Sequence, residues 1–360
     1  MGGSQSSERA SANTGVLASV ASVFKGFDLE PDVQLDDSDV QPGTRGGGAD
    51  HSSALPERPP PADTPAAEKP PLDLERVAEL ISTLPDESVI VLVGAGASVS
   101  AGIPDFRTPG TGLYDNLAEY NLPYPEAVFD IEFFRTNPAP FYRLCRELWP
   151  GTYSPTPAHR FLRQLHEHRK LKRCFTQNID SLEAAAGLPK EMVVAAHGNF
   201  DAAHVVGTGA PVDIDAVKSA IFGGEESIRA LCEEAGGLVK PAITFFGEEL
   251  PARFTQRARV DFGDCRLLLI FGTSLAVMPF AGLVRKVPVG TPRMLINRTR
   301  VGEHLGLDFE SEGTTDGIFL GDCDAGAQRL AELLGWDLSV STDSDATGEL
   351  ALKLGAVGLQ

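Results

Sequence analysis

The chain has 360 residues and a formal net charge of −19, enough length for one large domain or two modest ones. That charge speaks against a general nucleic-acid binder, which needs a basic face, and is compatible with basic protein partners such as Lys-rich tails. Five scattered cysteines (Cys145, Cys174, Cys232, Cys265, Cys323) build no disulfide framework and point to a reducing compartment, and no run of eighteen apolar residues is present to span a bilayer.

Residues 1–72 read as a disordered tail, with an acidic run from Asp28 to Asp39 and seven prolines between Pro56 and Pro71. Gly15–Phe27 is a short apolar island within it. From Asp73 the pattern turns globular. Leu74–Leu84 has helical spacing, Val89–Val93 is an apolar strand, and residues 100–126 form a long loop rich in Gly, Pro, Asp and Tyr. Helical periodicity follows over Phe129–Trp149 and Ala158–His168. Strands are expected at Leu171–Thr176, Met192–Ala196, Leu267–Gly272 and Arg293–Asn297. A closing helix covers Ala325–Leu334, and residues 338–360 are a loose tail. Strands alternating with helices predict an α/β fold with a doubly wound, Rossmann-like parallel sheet, whose ligand lies at the strands' carboxyl ends. The polar signatures GAGAS, TQNID, AHGNF, GTS and INR fall at those ends.

The first strand breaks into Gly94-Ala95-Gly96, followed by Ala97, Ser98 and, further on, Asp105-Phe106-Arg107. Gly94 and Gly96 have two readings: bare backbone that lets a pyrophosphate approach, or glycine required by a tight turn. The dinucleotide fingerprint is incomplete. Its third small position falls on Val99, and no strand-ending acid follows about twenty residues on, which disfavours a hydride-transferring dehydrogenase. Gln177, Asn178 and Asp180 follow a strand and offer amide and carboxylate groups to a ligand; a turn or helix cap would use Asp180 as well. His197 closes an apolar strand and precedes Gly198, and imidazole has the pKa a general base needs.

The segments 94–117, TQNIDSLE (176–183), HGNF (197–200), GGLVKPAITFFGE (236–248), GTSLAVMPF (272–280), INR (296–298) and LGDCD (320–324) resemble, in order, those of the sirtuins, NAD-dependent protein-lysine deacylases, and look closest to the eukaryotic class I deacetylases. The resemblance covers about residues 73–337. It implies NAD as cosubstrate, acetylated protein lysines (histone or other basic tails) as partners, and no direct contact with nucleic acid. His197 would be the base and Asn178 would orient the reacting ribose. Asp180, Ile103 and Asp105 would hold the nicotinamide amide, Phe106 would cover the reacting carbon, and Arg107 would support the loop or touch phosphate. Gly94, Ala95, Gly96, Ala97, Ser98, Ala101, Gln177, Ile179, Gly272, Thr273, Ser274, Asn297, Arg298 and Cys323 complete the implied NAD contacts. Val239 and Phe245 would wall the acyl-lysine tunnel, and Phe246 would belong to the same substrate cleft. Alternative readings are an NAD- or ADP-ribose-binding pseudoenzyme and a mono-ADP-ribosyltransferase.

The implied domain carries a large part (73–118, 150–200, 240–337) and a small inserted part (119–149, 201–239). In the family the small part holds a structural zinc on two cysteine pairs. Here 201–235 contains only Cys232; Val205, Ala210 (or Thr208) and Ala235 stand at the other places, so no four-sulfur site is expected. His204 with Glu233 or an Asp would be the remaining rescue. Two short helices are expected instead, at Ala216–Phe222 and Ser227–Ala235. Ala242 replaces the family's usual Asp after Lys-Pro. The loop 112–117 lacks the Tyr and Arg pair that grips a carboxylated acyl group, so neutral acyl groups are expected. The opening Met1-Gly2-Gly3-Ser4-Gln5-Ser6 fits Gly2 myristoylation, which implies a cytoplasmic protein with possible nuclear entry and a minor membrane fraction.

Overall fold

The computed structural model describes residues 72–103, 122–311 and 313–339. The expected tails lie outside these residues except at their inner edges, as do Asp105, Phe106, Arg107 and the acyl-facing loop 112–117. The described strands are β1 (Val89–Val93), β2 (Leu171–Thr176), β3 (Val193–Ala195), β4 (Gly198–Val205), β5 (Pro211–Val212), β6 (Val239–Ile243), β7 (Leu267–Phe271), β8 (Arg293–Asn297) and β9 (Asp316–Leu320). Six of them form one sheet in the order β3-β2-β1-β7-β8-β9, with every pair parallel.

Alternation explains why this sheet is wound on both faces. Val89, Val91 and Val93 of β1 and Leu267, Leu269 and Phe271 of β7 point to one side. There they meet helices α1 (Leu74–Thr83), α4 (Pro157–Glu167) and α9 (Cys323–Leu334) through Ile81, Phe161 and Leu330. Ile90, Leu92, Leu268 and Ile270 point to the other side, against Phe254 and Ala258 of α8 (Ala252–Val260) and the short 3-10 segment Phe280–Arg285. Strands buried on both faces read as continuous apolar runs, as VIVLV and LLLIF do. The strand order reverses between β1 and β7, and such a reversal opens a crevice at the carboxyl ends.

β4, β5 and β6 form a separate antiparallel sheet, order β5-β4-β6. It packs with α2 (Ile131–Thr136), α3 (Ala139–Leu148), α6 (Ile214–Gly223) and α7 (Glu225–Ala235) around Phe134, Phe141, Val205, Val217, Ile221, Ile228 and Val239. The remaining helix, α5 (Leu182–Ala185), follows the TQNID signature. No helix among the described residues is long and apolar enough to cross a membrane.

Differences from the sequence expectation have local causes. Phe129–Trp149 is not one helix. Asp130 caps α2 by accepting the N–H groups of Glu132 and Phe133, both at 2.9 Å, and Pro138 has no N–H with which to continue it. The unexpected strands carry weak signals: β4 is polar in sequence, β6 contains Lys240 and Pro241, and β9 opens on Asp-Gly. The two small-part helices extend past their expected limits because Asp213 caps the first and Gly224 joins the pair.

Candidate active site

Because β1, β2, β3, β7, β8 and β9 are parallel, the residues just after each lie on one edge. Gly94 N–H donates to Phe271 (2.9 Å), Gln177 N–H to Val93 (2.9 Å), Ala196 N–H to Thr176 (2.8 Å) and Gly272 N–H to Ile296 (3.1 Å). Gly321 N–H donates to Asn297 (3.0 Å). The segments 94–98, 177–180, 196–197, 272–274, 297–298 and 321–323 thereby form one continuous row.

Gly94 and Gly96 also meet a packing requirement. A Cβ on Gly94 would lie 2.7 Å from the Gly272 carbonyl oxygen and from Thr273 Cβ, and one on Gly96 would lie 2.7 Å from Gly272 Cα. The turn after β1 rests directly on the turn after β7. Gly272 has φ +59°, and a Cβ on it would lie 2.5 Å from Ala97 N, so it too is held to glycine.

Beneath that contact lies a buried polar chain. Asn178 Nδ2 donates to the Gly94 carbonyl (3.2 Å) and to Ser98 Oγ (3.1 Å), and Ser98 Oγ donates to Asp180 Oδ2 (2.7 Å). The other Asp180 oxygen accepts Leu182 N–H (2.9 Å). Thr273 Oγ1 donates to Gln177 Oε1 (2.7 Å). Thr176, the first residue of TQNID and assigned no contact there, accepts Asn178 N–H (3.1 Å).

His197 is half-buried at the same edge. Its Nδ1 lies 3.0 Å from the Gln177 carbonyl oxygen. A carbonyl only accepts, so Nδ1 carries the proton and Nε2 presents a lone pair, the arrangement of a general base. Burial pushes its pKa below the ordinary value, opposed by the Gln177 carbonyl.

The outlying residues divide. Asn297 Nδ2 donates to Thr299 O (2.8 Å), Arg298 pairs with Asp322, and Ser274 is exposed. Cys323 is buried, and burial first, then Asp324 and Asp322, pushes its thiol up to about 12; it is no nucleophile. Ala101 and Ile103 follow on the same segment, and Ile103 and Ile179 pack on the small part's core. Of the residues expected at the acyl-lysine cleft, two are interior and one faces out. Val239 and Phe245 are interior, with the Phe245 ring edge-on to Phe129, Phe134 and Phe141. Alternation on this segment turns Thr244 and Phe246 outward instead, and Phe246 is 41% exposed.

Two metal questions have chemical answers. His159, Asp180 and Glu183 bring one ligand atom each to within 4.8 Å of one another. Asp180, however, is already held at both oxygens by Ser98 and Leu182, and His159 Nδ1 faces Thr156 Oγ1 at 2.8 Å. Around Cys232 the described residues gather no group of three metal-capable side chains. Val205 is core, and Cys232 Sγ accepts Val239 N–H (3.4 Å) beside the Tyr142 hydroxyl. These residues do not fit a tetrahedral zinc. A dinucleotide is different: hydroxyl, amide and carboxylate groups with a neutral imidazole suit ribose hydroxyls and a carboxamide.

A doubly wound sheet with this polar edge and a base at its rim defines a dinucleotide-handling α/β protein. The Sir2 family model matches residues 94–279. The chain is 47% identical over 278 residues to the NAD-dependent protein deacetylase sirtuin-2 of Danio rerio, a match covering 74% of this chain and 73% of that protein. It is 45% identical over 263 residues to NAD-dependent protein deacetylase hst2 of Schizosaccharomyces pombe, covering 73% and 76%. It is 46% identical over 270 residues to NAD-dependent protein deacetylase sirtuin-3 of Mus musculus, covering 73% and 76%. The chain belongs to the Sir2 family.

Proposed function

We propose that this chain is an NAD-dependent protein-lysine deacetylase in which His197 is the general base. The observation that carries the reading is the His197 imidazole, neutral at Nε2 and anchored through Nδ1 to Gln177, at the edge that also gathers Asn178, Asp180 and Ser98. Bound NAD supplies a ribose carbon from which nicotinamide can leave, so that an acyl oxygen can take its place. The chain's part is to orient and to move a proton. Asn178 and Ser98 fix the Asp180 carboxylate, which suits a carboxamide N–H, and Gln177 with Thr273 offers groups to ribose and phosphate. His197 Nε2 takes the proton of a ribose hydroxyl. A pure binding module has no use for a base so arranged, which favours the enzyme over the pseudoenzyme.

The finer reading goes further. Substrates are acetyl-lysines in basic segments, acyl groups are neutral, and the small part works without zinc. Gly2 carries myristate, giving a cytoplasmic protein with a minor membrane fraction and access to the nucleus; an intact mass lacking the lipid disposes of the lipid and of the membrane fraction. The central test incubates the protein with NAD and an acetyl-lysine or succinyl-lysine peptide and follows nicotinamide and O-acetyl-ADP-ribose by mass spectrometry. Both products are expected with the acetyl peptide. Their absence counts against the function, and faster succinyl turnover counts against the acyl preference.

A further inference from the structure

Lys240 is a charged side chain that the proposed chemistry leaves unused. It sits on β6, within the motif that resembles a substrate cleft, and is 1% exposed. A buried ammonium is costly unless it is paired and hydrogen-bonded, and its contacts are specific. Nζ donates to the Ile243 carbonyl (2.5 Å) and to Glu248 Oε2 (2.8 Å), and it stands 4.4 Å from the centre of the Phe245 ring. The same Glu248 oxygen accepts the Phe245 N–H (2.9 Å). Cys145 and His204 are the other titratable groups close enough to be felt.

Three points of the segment 243–248 thus converge on one ammonium: the carbonyl of Ile243, the ring of Phe245 and the carboxylate of Glu248, which also takes the Phe245 amide N–H. Between them, Thr244 N–H donates to the His197 carbonyl (2.8 Å). Beyond them, Phe246 N–H donates to Phe129 O (2.8 Å), and Phe246 O accepts Ile131 N–H (3.2 Å). The segment is tied on one side to the residue that carries the imidazole and on the other to the start of α2. A Cβ on Gly247, which has φ +91°, would lie 2.9 Å from Ile131 Cγ2, so the bend is tight.

We propose that Lys240 and Glu248 are positioning residues for the acyl-lysine substrate, their ion pair closing residues 243–248 into a strap that sets His197 against the outward Thr244 and Phe246. This rests on the deacetylase reading. Stability alone explains the pair poorly, because a buried ion pair replaced by apolar groups of similar volume is often neutral or stabilising. What an apolar side chain cannot reproduce is the simultaneous hold on a carbonyl and a carboxylate.

The test compares the wild type with Lys240→Met, Lys240→Arg and the double variant Lys240→Met/Glu248→Leu, which leaves no orphaned charge. Melting temperature, NAD affinity, acetyl-peptide affinity by fluorescence anisotropy, KM and kcat are measured for each. The expected result is folded protein with unchanged NAD affinity and a peptide KM and Kd raised about tenfold, the scale of one lost buried hydrogen bond, with kcat within about threefold. Lys240→Arg, which keeps the charge and the donors, restores most of the affinity. Unchanged KM in a folded Lys240→Met or double variant overturns the proposal, as does a fall confined to kcat. Failure of all three variants to fold also overturns it, since the pair would then be purely structural. If the wild type itself neither binds nor turns over acetyl peptide, the deacetylase reading has failed, a result separate from the comparison among variants.

Discussion

The imidazole of His197 and the carboxyl of Glu183 show how burial sets chemistry at single residues. Replacing His197 by Ala is expected to lower turnover by about 10²- to 10⁴-fold, the usual cost of a lost general base, while calorimetric NAD affinity stays near wild type. A variant that deacetylates at the native rate would remove His197 from the mechanism. Because burial lowers its pKa from 6.5, the free base persists further into acid. The acid limb of kcat/KM should therefore fall below the ordinary imidazole range, and the folded state should lose stability as pH drops through 6.5, since the unfolded chain is protonated first. Glu183 behaves oppositely. Burial, then the nearby Asp180, raises its carboxyl to about 8, with Thr176 opposing. The fold holds a proton that the unfolded chain releases above 4.5, so stability declines as pH rises from there towards 8. Glu183→Gln copies the protonated form and should flatten that decline in melts recorded between pH 5 and 8.5; an unaltered slope would show that Glu183 is already ionised.

Among the elements, the segment β4–α7 stands where the family keeps a zinc module. Its core is apolar: Val205, Val217, Ile221 and Ile228 pack together, and a Cβ on Gly237 would lie 2.9 Å from Val205 Cγ1. Backbone hydrogen bonds from Val205 N–H to Ala210 (2.8 Å) and from Gly237 N–H to Cys232 (2.9 Å) hold the turn and the helix end. A module held this way has no need of metal-derived folding energy. We expect no bound zinc in elemental analysis, and melting temperature and activity that do not change with a strong chelator. One tightly held zinc per chain would refute this.

For the whole molecule, the formal charge of −19 gives a field that attracts basic segments and is screened by salt, with a Debye length near 10 Å at 0.1 M. The KM for a Lys-rich acetyl peptide should rise several-fold between about 0.05 and 0.5 M salt, while that for a neutral peptide changes little. Equal salt dependence for the two would show that the charge serves solubility alone.

The sequence by itself determined the winding and the edge. β1 and β7 are short apolar runs and β2 and β8 largely apolar ones opening on or near basic residues, all ending in polar signatures, and a parallel sheet necessarily collects such ends in one row. His197, Asn178 and Asp180 were legible for that reason. Neighbour relations between distant segments were not, because they depend on how separately formed elements pack. Ser98 and Asp180 stand 82 positions apart and meet at 2.7 Å. That Gly94 lies against Gly272, so that a Cβ on it would come within 2.7 Å of the Gly272 carbonyl oxygen, is another such relation. Phe245 and Phe246 are adjacent and chemically identical, and only the path of the chain beyond β6 decides that one enters the core while the other faces out. Lys240 is a charge in an apolar stretch; its burial follows from Glu248 and the Ile243 carbonyl closing on it, a three-dimensional arrangement that no local period encodes.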